Sequence, residues 1–137
     1  MDAATTTGSG RDVIERFLAA AESRDVEAMA ALAHDDLVMA WPQSGERFTG
    51  RERALAALLA TDERPSVAGP PEVLGAGDLW VVRMPLRYGE DVYHYLGILE
   101  LDGGLIRRST EFFGAPFPAN PARAAFADPV NTAAAGG

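Results

Sequence analysis

The segment that decides the fold is Tyr93–Gly114, YHYLGILELDGGLIRRSTEFFG. Two apolar-rich runs flank the tripeptide Asp102-Gly103-Gly104. Alternating character on both sides of a Gly-rich turn is the mark of a β-hairpin. Side chains on a strand alternate between faces, so Ser109, Glu111 and Phe113 share one side and Arg108, Thr110 and Phe112 the other. Tyr93 and Tyr95 likewise share a face, with His94 opposed to them. Upstream, Glu72–Leu74 leads into a run Leu79–Tyr88, and "YGED" joins that run to Val92–Leu101 as a second hairpin.

The N-terminal half has a different period. Val13, Ile14, Phe17, Leu18 and Ala21 recur at helical spacing, predicting an amphipathic helix over Asp12–Ser23. "SRDVEAMAALAHDDL" predicts a second helix capped near Asp25, with Val26, Met29, Ala30 and Leu32 facing in. "DLVMAWP" predicts a strand ended by Pro42, "PQSGERFTG" a loop, and "RERALAALLA" a third helix. Helices first and antiparallel strands after define an α+β domain with helices on one face of a curved sheet. Three regions are expected: a disordered N-terminal tail over 1–10, a domain over 11–118, and a proline- and alanine-rich tail over 119–137, with the stretch 114–129, which carries Phe117 and Phe126, packing on the outside.

The 137 residues suggest one domain and one core. A net charge of −8 argues against nucleic acid or an anionic membrane as partner. All twelve basic residues are Arg, in keeping with a GC-rich coding sequence. The absence of cysteine excludes thiol nucleophiles, disulfides and Cys–metal sites. His34 beside Asp35 and Asp36 reads as a solvated turn, and the two histidines make no ligand pattern, so neither a metal nor another cofactor is expected. No secretory signal and no run of membrane-spanning length is present, which makes the cytoplasm the expected location.

Three stretches carry a resemblance: "FLAAAESRDVEAMAALAHDDLVMAWP", "FTGRERALAAL" and "YLGILELDGGLIRRSTEFFGAPF". Together they resemble the nuclear transport factor 2-like superfamily, and within it the SnoaL-like (polyketide cyclase-like) bacterial branch. The resemblance implies a cone: a strongly bent, mainly antiparallel sheet wrapped by three helices (the cystatin-like α+β arrangement), with a pocket at the open end. Superfamily members include isomerases, cyclases, dehydratases, epoxide hydrolases and binders without chemistry. Fold alone does not choose among these. The positions at which steroid isomerases of this superfamily carry an oxyanion donor, a base and a protonated acid hold Phe17, Trp41 and Gly97 here. None of the three can play its part.

In a fold of this shape the Ser109–Glu111–Phe113 face is concave. Glu111 is then a candidate acid or base, with Tyr95 or Tyr93 as hydrogen-bond donor. The alternative places Glu111 at a solvated edge or bridged to Arg83, Arg87 or Arg107, and makes the tyrosines core or interface aromatics. Phe17, Trp41, Leu55, Trp80, Met84, Leu99, Ser109 and Phe113 are the candidate pocket lining. The expected partner is a small apolar organic molecule of polyketide or terpenoid kind. The function is either proton-transfer catalysis on it (cyclisation, isomerisation or dehydration) or binding alone. Val92, His94, Leu96 and Ile98 would form an outward apolar stripe, so a homodimer through the outer sheet face is expected.

Overall fold

The computed structural model describes residues 3–61 and 63–129, with side chains from residue 10 onward. The chain runs α1 (Ala3–Ser23), α2 (Val26–Leu32), β1 (Ala33–Trp41), β2 (Glu46–Thr49), α3 (Arg51–Leu58), β3 (Ser66–Val67), β4 (Glu72–Ala76), β5 (Leu79–Tyr88), β6 (Asp91–Asp102) and β7 (Leu105–Gly114). A short 3-10 turn, Pro121–Arg123, follows. The seven strands form one sheet ordered β2-β1-β7-β6-β5-β3, with β4 also pairing β5. Every pairing is antiparallel except β1 with β7. This is an α+β domain of three helices on a curved, mostly antiparallel open sheet.

Turn chemistry sets the registers. At the β6–β7 hairpin Asp102 pairs with Leu105, and Gly103 and Gly104 both take positive φ, 61° and 81°. A two-residue turn with positive φ at both central positions matches the twist of the flanking strands. Register breaks opposite Glu100 and Leu101, where Arg107 is the extra residue on β7, and between Ala33 and Val38 on β1, add curvature where extra residues bend the strand. The concave face so formed is packed by α1. Val13, Ile14, Leu37, Met39, Val82, Leu99 and Ile106 are among the buried residues of the main core. A smaller cluster, Ala20, Met29 and Leu55, joins the helices to one another.

The helices differ from the sequence expectation at their ends. α1 starts at Ala3, so the helix takes in most of the 1–10 segment expected to be disordered. Its approach is fixed at Gly10. A Cβ there would stand 2.7 Å from Trp80 Nε1 and 3.0 Å from the Gly77 carbonyl, so only glycine lets the helix lie this close. The guanidinium of Arg11 then sits 5.3 Å over the Trp80 ring. α2 is capped by Asp25, whose carboxylate accepts from the Ala28 amide at 3.1 Å. Val26, expected inside, is 51% exposed because it stands at the first turn beside the cap.

The short strand β2 lies in the stretch expected to be loop, and β3 in a stretch that the sequence pattern leaves unassigned. The C-terminal segment does not pack on the domain: Phe117 and Phe126 are 82% and 85% exposed. Pro116, Pro118 and Pro121 keep this stretch from joining the sheet, and Asn120 caps the 3-10 turn instead. The part of the expected tail beyond residue 129 lies outside the described residues, as do residues 1 and 2. No described helix is long and apolar enough to cross a membrane.

Ile14 is fully buried between α1 and the sheet. Ile14→Ala is expected to lower the unfolding free energy by about 2–5 kcal/mol, read from urea titration by circular dichroism.

Candidate functional site

The inward residues of the last three strands line up across the sheet. Met84 pairs with Tyr95 and Tyr95 with Phe113; Val82 pairs with Gly97 and Gly97 with Glu111; Trp80 pairs with Leu99 and Leu99 with Ser109. Glu111 is therefore on the concave face, 6% exposed. It is not bridged to Arg83, Arg87 or Arg107. Arg83 pairs with Glu72 at 2.7 Å and Arg107 with Asp36 at 3.9 Å, while Arg87, four residues along β5 from Arg83, shares its outer face.

Neutral donors meet the carboxylate instead. Tyr95 Oη–H donates to Oε2 at 2.7 Å, and Trp41 Nε1–H donates to Oε1 at 2.8 Å. Each bond comes from a different neighbouring element, β6 on one side and the end of β1 on the other. A carboxylate ion taken out of water needs such donors, and charge-assisted bonds of this length are the strong kind. Each oxygen keeps a further lone-pair direction for a ligand or a proton.

Gly97 makes the Tyr95 bond possible. It sits directly across from Glu111, and a Cβ on it would overlap the Tyr95 hydroxyl and stand 2.9 Å from Cζ. The phenol thus lies flat over a bare backbone and spans two residues to reach the acid. Trp41 is held by rings: Phe48 lies edge-on at 4.9 Å and Phe113 at 5.9 Å between centroids. Phe113 also meets the Tyr95 ring at 5.3 Å, and its amide donates to Gln43 Oε1 from the loop after β1.

These groups form the floor of a cavity of about 760 Å³. Its walls come from α1 (Ile14, Phe17, Leu18), the end of α3 (Leu58, Leu59) and inward residues of β5–β7. Its exposed rim includes Glu15, Glu22, Thr61, Glu63 and Arg64. Arg24, in the left-handed region at φ 57°, donates to the carbonyls of Leu59 at 2.9 Å and Thr61 at 3.3 Å. That tie fixes the α1–α2 corner to the segment after α3 and so sets one side of the mouth. A volume of this size suits a ligand of drug-like bulk.

Of the residues expected at the site, Phe17, Trp41, Met84, Tyr95, Leu99, Glu111 and Phe113 border the cavity. Four do not. Leu55 points into the helix cluster with Ala20 and Met29, because the α3 face toward the cavity is one turn on, at Leu58. Trp80 is capped by α1 and donates from Nε1 to the Gly77 carbonyl at 2.9 Å. Ser109 is 4% exposed, between Leu99 and Met39 in register, and its Oγ has no partner. Tyr93 meets Tyr88 edge-on, 5.0 Å between centroids, two residues from Tyr95 along the strand, and is not hydrogen-bonded to Glu111. Tyr88 itself borders the cavity and was missed, although the even-numbered parity of β5 from Trp80 through Met84 leads to it.

Expected absences concern other regions. His34 Nδ1 accepts from the Asp36 amide at 3.0 Å, and Asp35 pairs with Arg51 at 3.0 Å, within the start of β1 rather than in a free turn. Among the described residues no group of three His, Cys, Asp or Glu side chains is placed to hold a metal ion.

The fold defines a class: a nuclear transport factor 2-like α+β protein, here with an open-mouthed cavity lined mainly by apolar residues. The chain belongs to the SnoaL-like domain family, whose family model matches residues 14–109. Among solved structures, a presumptive ketosteroid isomerase from Kribbella flavida DSM 17836 is similar at 26% identity and TM-score 0.82, over 94% of this chain and 95% of that one. An NTF2-like protein of unknown function from Burkholderia xenovorans LB400 is similar at 25% identity and TM-score 0.79, over 93% and 99%. An LEH-like epoxide hydrolase from M. tuberculosis shares the fold at 22% identity and TM-score 0.64, over 78% and 84%. No curated protein sequence matches the chain.

The Tyr95 hydroxyl is held well above its ordinary pKa of 10.0, by burial first and then by the charge and hydrogen bond of Glu111. A raised folded-state value means the stability tied to the neutral phenol is complete below about pH 10 and is lost as pH rises further. In an alkaline titration followed at 295 nm, one of the three tyrosines is expected to ionise only as the protein unfolds. In Tyr95→Phe that late step should be gone. Ionisation of all three in the folded state would contradict the assignment.

Proposed function

We propose that this protein binds a small, largely apolar organic molecule in the cavity and moves a proton on it with Glu111, as an enzyme of cyclase, isomerase or dehydratase type. The observation that carries the reading is one buried carboxylate at the floor of an apolar cavity, held in place through both oxygens. In this reading Glu111 takes a proton from a C–H or O–H of the substrate through the free lone pair of one oxygen. Tyr95 and Trp41 are positioning residues that fix the carboxylate plane. Tyr95 keeps its own proton, so it serves as a donor and not as a second base. The kinds of chemistry in the names of the similar structures support a polyketide- or terpenoid-like substrate class. The steroid-isomerase mechanism is not the one proposed, since Phe17, Trp41 and Gly97 supply no donor, base and acid in those roles. Trp41 is instead a donor to Glu111. The proposed setting is the cytoplasm.

A second reading, binding without turnover, is favoured by one feature: among the described lining residues, nothing but Tyr95 and Trp41 is hydrogen-bonded to Glu111 to act as a partner acid. Deuterium uptake separates the readings. Incubation in heavy water with apolar ketones, with and without an amine substituent, should label the carbon next to the carbonyl. Glu111→Gln should slow labelling by about 100-fold or more with folding and ligand retention intact. Under binding alone, Glu111→Gln alters affinity and no labelling occurs in either protein. A β,γ-unsaturated ketosteroid is expected to remain unisomerised.

We also propose that the protein is a homodimer through the outer sheet face. The rows Arg83–Leu96–Phe112 and Val81–Ile98–Thr110 run across β5, β6 and β7 on that face. Val81, Leu96, Ile98 and Phe112 leave it mostly apolar and half-buried, with His94 exposed beside them. Light scattering at micromolar concentration should give twice the chain mass, and Ile98→Glu should halve it. A monomer in the unsubstituted protein would contradict the proposal.

A further inference from the structure

The charge of Glu111 has no counter-ion inside the protein. The carboxylate is 6% exposed, its two partners are neutral, and among the described residues no cation stands within ion-pair distance of it. Buried charges are ordinarily paired, because neutral donors offset only part of the lost hydration. The two guanidiniums that border the cavity do not reach this acid. Arg24 is committed to the Leu59 and Thr61 carbonyls at the mouth, and Arg64 is an exposed rim residue. The other charged groups at the rim are carboxylates. Glu15 faces Arg11 at 3.8 Å, whereas Glu22 and Glu63 add negative potential to the entrance.

The walls have the complementary chemistry. Phe17, Trp41, Tyr88, Tyr95 and Phe113 all border the cavity with Glu111. Ring faces attract cations, most strongly where water is excluded. Trp41, Tyr95 and Phe113 stand around the carboxylate, and Phe17 and Tyr88 lie farther along the same walls, which is a setting for a positive group on an otherwise apolar body.

We propose that the substrate class of this site is a lipophilic cation: an apolar molecule with a protonated amine or other cationic nitrogen, which Glu111 pairs inside the cavity. The proposal rests on the reading of the cavity as a small-molecule site. It also fits the proton transfer described above. Removing a C–H or O–H proton from a molecule that keeps its cationic nitrogen leaves the new anion with that nitrogen as its counter-charge inside the low-dielectric cavity. Removing one from a neutral acid leaves an anion that meets no inward cation among the described residues.

The test uses three probes of one shape, naphthylethylamine, naphthylethanol and naphthylacetate, measured by calorimetry with the full chain at neutral pH. The amine is expected to bind about tenfold or more tightly than the alcohol, with the acetate weakest. In Glu111→Gln, checked for folding by circular dichroism, the amine should lose its advantage and the alcohol should bind as before. An alcohol that binds as tightly as the amine overturns the cation preference and leaves the small-molecule reading standing. An amine preference that survives in Glu111→Gln also overturns the proposal. Failure of all three probes to bind overturns both readings. The comparison of probes on the unsubstituted protein decides the preference even if the variant does not fold.

Discussion

The Tyr95–Glu111 hydrogen bond, laid across Gly97, is the constraint on which the site depends. A carboxylate cannot stay at the floor of an apolar cone without donors. The nearest donor on β6 is two residues away from its cross-strand position. Glycine at 97 removes the side chain that would stand between them. Trp41 closes the arrangement from the other side, across the one parallel pairing of the sheet. One sheet interaction thus joins β1, β6 and β7 at a single polar point, while the surrounding contacts are apolar or ring on ring.

The remainder of the fold is arranged around keeping that point accessible but dry. The bulges on β1 and β7 curve the sheet. α1 fills the concavity at the Trp80 end through Gly10 and leaves it open at the Tyr95 end. Arg24 trades solvent for two carbonyls and so ties the helix corner to one side of the mouth. The site is a region of the core that the helices do not fill, which is why its lining is indistinguishable in composition from the packed residues next to it.

Much of the fold was legible in the sequence because its signals are local: helical spacing before residue 60, alternation after residue 70, and glycines at two-residue turns. The same alternation grouped Glu111 with Ser109 and Phe113, and Tyr95 with Tyr93, while the concave side for them came from the resemblance. What could not be read was anything set by distant packing. Trp41 was dismissed as a base, and its role as donor to an acid seventy residues away depends on a parallel register that no local signal encodes. Parity placed Trp80 and Ser109 inward, but whether an inward residue meets α1 or open space depends on how far the helix reaches. Leu55 and Leu58 are one helical turn apart and both pack in the helix cluster, but only Leu58 also borders the cavity. Strands of four and two residues, β2 and β3, are too short to show alternation.

The most direct test of this arrangement is the indole N–H region of a proton–nitrogen correlation spectrum. Trp41 donates to Glu111 and Trp80 to the Gly77 carbonyl, so each tryptophan carries an independent report. Replacing Glu111 by Gln should shift the Trp41 indole resonance strongly and speed its exchange with solvent, while the Trp80 resonance stays in place. An unchanged Trp41 resonance would contradict the placement of Glu111 at the floor of the cavity.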